Sequence, residues 1–447
     1  MRLTILLFAV VLAAQDGRQV RPPESMHQYS GISPLSAAGD KLHVLQGGNP
    51  ALIVKVSDGS VIASGAPAPE FHWDNVDDDL GYAIGLNGPR IQTWRPSKGK
   101  YSTLIDYTGR FQSITTGATT DVTYDNWEAF WAPTEHTLCA VNLTAKTTYC
   151  VDVNLPDPVN HLSDTPNVDY VAVTPRDSKS GLHYVLMAGA PAMGVFSVDE
   201  MAGVLRWVVR PELVIPWMGN NGVKTNNNDG NCDPGEACLQ GPHGDVFVAP
   251  DGQVYFEMIA DIESTFPGGA NVCQRGEALM RLNSGVKMST PENFAGVTGG
   301  GMKYIGPDMI CGGTQTWSAG HTGCARFGGH CVISFDTPAV PPGQVAPKAE
   351  ELWLIGLDAN NALTYSRLGN SHASIMTGDG SQQANSYWST ARAALSMDGT
   401  VVIYDSDAGS KSARHAVYQL ATGLPAVKPP SAQTPHAAVA EAGHRAH

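Results

Sequence analysis

The chain has 447 residues and a formal net charge of −14, with 42% hydrophobic and only 16% charged residues. Lysine and arginine cluster nowhere along it, which argues against nucleic acid and anionic membrane surfaces as partners, because both are held mainly through neutralised phosphates. With 48 glycines and 30 prolines, turns dominate and long exposed helices are disfavoured, so the composition predicts an all-β fold.

Residues 1–14 read "MRLTILLFAVVLAA", a positive start at Arg2, an apolar run and small residues at Ala13 and Ala14. This is the pattern of a secretory signal peptide, and no other stretch approaches the roughly 20 apolar residues of a membrane helix. The expected product is secreted or periplasmic and leaves the membrane after cleavage. Residues 15–41 form an N-terminal lead-in.

From Leu42 a weak unit recurs: an apolar run, a turn, a second run, then a further strand ending at a polar or glycine turn. It is first seen as "KLHVLQGGNPALIVKVSDGSVIAS", then "GYAIGLNGPRIQTWRPSKGKYSTLID", then "EAFWAPTEHTLCAVNLTAKTTYCVDV". It continues as "HYVLMAGAPAMGVFSVDEMAGVLRWVV", "GDVFVAPDGQVYFEMIAD" with "EALMRLNSGVKM", "HCVISFD" with "ELWLIGLDANNALTYSRL", and "RAALSMDGTVVIYDSDAG" with "HAVYQLATG". Seven such units over 42–423, spaced by roughly 55 residues, predict a single seven-bladed β-propeller. "PDG" at Pro250–Gly252 and "MDG" at Met397–Gly399 supply the positive φ of hairpin turns. Two β-sandwich domains are the competing reading, but no linker divides the middle of the chain. Residues 424–447 are Pro/Ala-rich, and their composition predicts a disordered tail; its histidines 436, 444 and 447 carry no expected role.

Eight cysteines in an exported chain, with no Cys-x-x-Cys spacing, predict disulfides. Cys139 and Cys150 flank "AVNLTAKTTY", which alternates about a central turn as a hairpin does. Cys232–Cys238 and Cys324–Cys331 are the next local candidates, leaving Cys273 for Cys311.

The phrases "YDNWEAFWAPTEHTLCAVNL", "GPHGDVFVAPDG" and "YWSTARAALSMDGTVVIYDSDAG" resemble bacterial secreted TolB/WD40-like β-propeller proteins over most of the chain after Tyr29. That resemblance implies fold and export rather than a reaction. In more distant propellers with TolB-like repeats, such as oligogalacturonate lyases, inner-strand histidines hold a metal or act in β-elimination. This chain has inner-strand histidines without the full motif of that family.

Two constellations carry possible chemistry. In "NNNDGNCDPGEAC" the spacing from Thr225 sets Asn227, Asp229, Asn231, Asp233 and Glu236 at positions 3, 5, 7, 9 and 12 of a calcium loop, with Gly230 at the sixth. Thr225 departs from the Asp of position 1. A structural Ca2+ is one reading; a disulfide-tied turn rich in Asn, Asp and Gly is the other. The second constellation is the set of residues leading into each blade: His72 and Trp73; Asp125, Asn126 and Trp127; Asn167 and Asp169; His243 and Asp245; His321 and His330; Trp388 and Arg392. Sevenfold symmetry would gather these at the axial channel mouth. There His72, Trp73, Trp127, His321 and Trp388 would suit an extracellular glycan or other small or extended ligand, since sugar CH faces stack on aromatic rings. Each tryptophan is equally a candidate core filler, each histidine a locally bonded group, and Arg392 a candidate ion-pair partner for an acidic residue such as Asp245.

No Gly-x-Ser-x-Gly, P-loop or His-Glu-x-x-His occurs. The sequence therefore predicts a secreted propeller binding a carbohydrate or other extracellular ligand at the channel mouth. A polysaccharide lyase using His243 or His330 as base and Arg392 against the substrate carboxylate is the catalytic alternative. A protein-interaction scaffold is the third. Nothing in the sequence sets the oligomeric state.

Overall fold

The computed structural model describes residues 17–21, 25–26, 32–46, 49–68, 71–117, 122–153, 155–156, 163–164, 167–190, 192–208, 236–265, 271–282, 302–304, 309–310, 318–326, 328–336, 350–360, 362–373, 391–406 and 416–427. The expected signal peptide, most of the tail and the expected pairs Cys232–Cys238 and Cys273–Cys311 lie outside what is described. All the regular secondary structure among the described residues is β. It forms a seven-bladed β-propeller.

Short β-runs split by glycine and Asp-centred turns cannot extend into one large sheet, and they fold instead as successive antiparallel meanders. Blade 1 holds Ser25–Met26, Lys41–Gln46, Asn49–Lys55 and Val61–Ala66 in that order, and blade 2 holds His72–Trp73, Gly81–Ile84, Arg90–Arg95 and Lys100–Asp106. In blade 3, a bridge from Thr115 to Trp131 leads into Trp127–Ala132, Thr137–Asn142 and Thr147–Asp152. Blade 4 runs Asn167–Val173, Tyr184–Ala190, Ala192–Asp199, Val204–Trp207, and one parallel pair, Cys150 with Val204, links it to blade 3. Blade 5 runs Glu236–Val248, Val254–Thr265, Asn271–Arg281, with Met302–Tyr304 and Met309–Ile310 both pairing its third strand. Blade 6 runs Ser318–Cys324, His330–Asp336, Glu351–Leu357, Leu363–Asn370.

Blade 7 supplies Ala394–Leu395, Val401–Ser406 and Ala416–Ala421 from the C-terminal part of the chain, and its outer strand comes from the N-terminal part, Arg18–Arg21. Arg18 pairs with Gln419 and Gln19 with Tyr418, and after a bulge Arg21 pairs with Val417. The Arg18 guanidinium also donates to Ser57 O and Val56 O of blade 1. The lead-in is therefore part of the ring: it closes blade 7 and begins blade 1.

Position within a blade sets burial. The second strand of blade 3, Trp127–Ala132, is buried at every residue, whereas the last strand of blade 2, Lys100–Asp106, is largely exposed. Both faces of an inner strand are covered, so alternation along it sorts side chains between two neighbouring blades rather than between core and water. Trp127, Ala129 and Trp131 pack towards blade 4, while Phe130 and Ala132 pack towards blade 2.

Two of the expected disulfides are formed, each between directly opposed residues of neighbouring antiparallel strands: Cys139–Cys150 in blade 3 and Cys324–Cys331 in blade 6. Closing loops this short contributes about 3 kcal/mol apiece in the chain-entropy picture.

At the junction of blades 1 and 2 the Trp73 indole is wholly buried, edge-on to Phe71 at 4.8 Å, with Nε1 donating to Pro34 O at 3.0 Å. Phe71 in turn lies so close over Gly81 that a Cβ there would meet its ring. Trp73→Ala is expected to cost about 3–5 kcal/mol, read as a lowered denaturant midpoint with an unchanged slope. An unchanged midpoint would show that the indole is not part of the core.

Candidate functional site

The turns from first to second strand are built by aspartates whose carboxylates accept nearby backbone N–H groups, the local geometry that Asp favours. Asp74 Oδ1 accepts from Val76 N and Asp77 N, and its Oδ2 from the Tyr82 hydroxyl at 2.6 Å. Asp177 Oδ1 accepts from Lys179 N and Ser180 N, and Asp398 Oδ1 from Ser396 Oγ and Thr400 N. Asp177 also accepts from Val254 N of blade 5 through its other oxygen. These turns follow the first strands of blades 2, 4 and 7 and so lie at one end of the propeller.

Arg326, just beyond the first strand of blade 6, reaches across that end. Its Nη1 donates to Asn75 Oδ1, its Nη2 donates to Trp73 O at 3.2 Å, and Nη1 approaches Met397 Sδ at 3.5 Å. Blades 7 and 1 stand between blades 6 and 2 along the circumference, so this contact crosses the centre of the ring. Asn75 Nδ2 continues the chain of bonds to Thr123 O and to Asn126 Oδ1 of blade 3.

Beside this bridge lies a small opening lined by Val122, Thr123, Val173, Pro175, Asp245, Val246, Cys324 and Arg326. Blades 3, 4, 5 and 6 thus contribute its wall. It contains one carboxylate and one guanidinium, both almost fully buried: Asp245 is 3% exposed and Arg326 5%. Asp245 Oδ1 accepts from Val246 N at 2.7 Å and Oδ2 from Cys324 N at 2.6 Å, which fixes the carboxylate and joins blade 5 to blade 6. The rest of the wall is Val122, Val173, Pro175 and Val246, with Thr123 and Cys324.

The described residues among those singled out in the sequence are placed as follows. Trp73 and Trp127 are buried between blades, Trp127 with the His183 ring 4.6 Å away. His72 is fully buried, its Nδ1 3.3 Å from Glu128 Oε2 of blade 3. His321 is buried in the first strand of blade 6, where its carbonyl accepts from Ser334 Oγ. Arg392 is 1% exposed, and its Nη2 lies 2.7 Å from Asp405 Oδ2; its ion-pair partner is Asp405 of its own blade rather than Asp245. His330 lines a separate small opening with Gly328, Asp398, Leu424 and Val427, and its Nδ1 is 2.6 Å from Gly328 O. His243 lies within the first strand of blade 5 and Glu236 begins that strand, but their side chains are outside the described residues, as are Trp388, Asn227, Asp229, Asn231 and Asp233. Among the described residues no group of three or more His, Cys, Asp or Glu is placed to hold a metal ion.

Arg326 and Asn75 were not legible as site residues in advance. Neither is marked by a motif in the sequence, and only the crossing of the axis gives them a shared place. Asp125 pairs with His183 across blades 3 and 4 at 3.2 Å. Burial alone would push the Asp125 carboxyl up, but the hydrogen bond and charge of His183, with the Thr123 hydroxyl, hold it below its ordinary value.

No protein-family profile matches the chain, and no curated protein matches it. Solved structures do resemble it in shape. The oligogalacturonate lyase of Vibrio parahaemolyticus is similar at 13% identity and a TM-score of 0.48, covering 90% of this chain and 92% of that one. The structure of U3-55K is similar at 10% identity and a TM-score of 0.46, covering 91% and 99%. The RRP9 WD40 repeats are similar at 9% identity and a TM-score of 0.41, covering 91% and 97%. The fold assignment rests on the strand order and ring closure, not on these likenesses.

Burial, the nearby Arg326 guanidinium and His43 push His72 down from 6.5 to about 3. The folded protein therefore keeps this ring neutral where the unfolded chain takes up a proton. Stability from this group is fully present above pH 6.5 and is lost as the pH falls from there towards about 3. His72→Gln is expected to flatten the melting-temperature profile over that interval, as read by calorimetry. Parallel profiles for the two proteins would contradict the assignment.

Proposed function

We propose that this chain is an exported, non-catalytic β-propeller that binds a small polar extracellular ligand in its axial opening. The observation that carries the reading is the pair of buried charges, Asp245 and Arg326, in the wall of one opening at the ring centre. Stability alone gives little reason for such groups, since burying charge is costly and apolar replacements of similar volume often serve as well. Convergent polar groups in a concave, mostly aliphatic wall are the ordinary form of a ligand site.

A stacked glycan draws less support, because Trp73 and Trp127 have no face open to a sugar ring. The lyase alternative loses its cation: Arg392 is buried against Asp405 and offers no surface to a substrate carboxylate. The two disulfides support export, as such bonds persist in oxidising compartments. The rim-scaffold reading has no particular surface to favour it.

The test is a thermal-shift screen of neutral sugars, amino acids and small acids, run beside an absorbance assay for unsaturated products from uronate polymers. Stabilisation by at least one class, reduced in Asp245→Asn, and no absorbance rise are expected. Steady production of unsaturated sugar would overturn the non-catalytic reading. For the calcium loop over Asn227, Asp229, Asn231, Asp233 and Glu236, a chelator is expected to lower the melting temperature; an unmoved value would remove the ion.

A further inference from the structure

The disulfides of blades 3 and 6 differ in what surrounds their sulfurs. In blade 6, Cys324 and Cys331 are both buried. In blade 3, Cys139 lies buried in the apolar cluster of Phe130, Val141 and Leu143. Its partner Cys150 is only half-buried, and the exposed Arg110 holds Nη2 3.2 Å from the Cys150 Sγ. We propose that Cys150 is a site of covalent modification, where a small anionic thiol attacks the Cys139–Cys150 bond in the folded protein and forms a mixed disulfide.

Three observations lead there. The first is access: exchange requires a thiolate to reach one sulfur of the bond, and Cys150 is the half-buried partner while Cys139 is sealed. The second is charge. The attacking group is an anion, and during attack its charge is shared among three sulfurs, of which the Cys150 Sγ is the middle one. A guanidinium beside that sulfur draws the anion in and favours the charged arrangement, as a neighbouring arginine favours a thiolate. Arg110 is also held there: its guanidinium carbon lies 4.9 Å over the Phe111 ring, and Phe111 packs on Tyr107 and Phe130. The third is tolerance. Thr137–Asn142 and Thr147–Asp152 are opposed residue by residue from Thr137 with Asp152 to Asn142 with Thr147, so the hairpin keeps its ladder when the covalent link opens.

The thiol itself supplies the reductant. Its thiolate bonds to the Cys150 Sγ, the Cys139–Cys150 bond breaks, and the electron pair leaves on the Cys139 Sγ, which takes a proton from water. A second thiolate attacks the sulfur of the bound thiol and releases Cys150 as a thiolate beside Arg110. Two small thiols are thereby oxidised to their disulfide as the protein disulfide is reduced. Cys150 is also the residue of blade 3 that pairs with Val204, so the adduct stands where blade 3 meets blade 4.

The experiment treats the full folded chain, its disulfides intact, with thioglycolate, an anionic thiol, or cysteamine, a cationic one. Samples are quenched with acid and alkylated, and the Cys150 peptide is followed by mass spectrometry. The ratio of the two rates removes any general change in stability and reports the local charge. Arg110→Gln, at an exposed position, is expected to lower the thioglycolate-to-cysteamine ratio about fivefold, the scale of unit charges roughly 4 Å apart in water. Arg110→Lys is expected to keep most of the preference, and high salt to weaken it in the unsubstituted protein. The adduct is expected on Cys150 and on neither Cys324 nor Cys331. A ratio that Arg110→Gln leaves unchanged would overturn the proposal, as would an adduct appearing first on Cys139 or in blade 6. A Cys150 adduct that forms only where the protein unfolds would overturn it as well.

Discussion

A four-stranded sheet that is apolar on both faces has to be covered on both, and nearly everything in this protein follows from that requirement. Each blade is too small to stand alone, so its faces are buried against its neighbours. Phe71, Trp73 and Trp94 fill the junction of blades 1 and 2; Tyr107, Phe111 and Phe130 that of 2 and 3; Trp127 and Phe196 that of 3 and 4. Tyr170 meets Phe256 at 5.7 Å between blades 4 and 5. Phe247 with Phe335, Leu354 with Tyr404, and Leu42 with Val417 continue the series around to blade 1. A series of seven covered interfaces is complete only as a ring, which is why the N-terminal strand must return to blade 7.

Ring closure has a consequence at the centre. Inner strands converge, and the polar side chains they carry leave water whether or not they are paired. The structure meets this with contacts between blades, His72 beside Glu128, His183 beside Asp125 and Asp245 on Cys324 N, and with the Arg392–Asp405 pair inside blade 7. Removing one partner from a buried ion pair such as Arg392–Asp405 typically costs about 3–5 kcal/mol, and the three contacts between blades restrict how neighbouring blades are able to sit. Arg326 goes further by joining two blades that are not neighbours. The same convergence that creates a desolvation problem also brings Asp245 and Arg326 to the wall of one opening.

Much of this was written plainly in the sequence. The unit from Leu42 onward, the Asp-Gly turns at 251–252 and 398–399, and the hairpin between Cys139 and Cys150 each follow from local rules of turn chemistry and alternation. What local rules leave open is direction. On an inner strand both faces are buried, so the pattern that marks Trp73 or Trp127 as inward does not say whether the ring faces the next blade or the axis. Arg392 was legible as a candidate ion-pair member, but its partner depended on register, which pairs its own blade's strands. Arg326 was the least visible of all, because its contacts with Trp73 and Asn75 span some 250 positions of chain.

The most direct test of the closed ring is hydrogen exchange followed by mass spectrometry on the intact protein. Backbone amides of Arg18–Arg21 should exchange as slowly as those of Ala416–Ala421, their partner strand, and both should become exposed in the same cooperative step as denaturant is added. Rapid exchange of the N-terminal strand while Ala416–Ala421 stays protected would show an open array of blades, and the convergence at the axis would lose its physical cause.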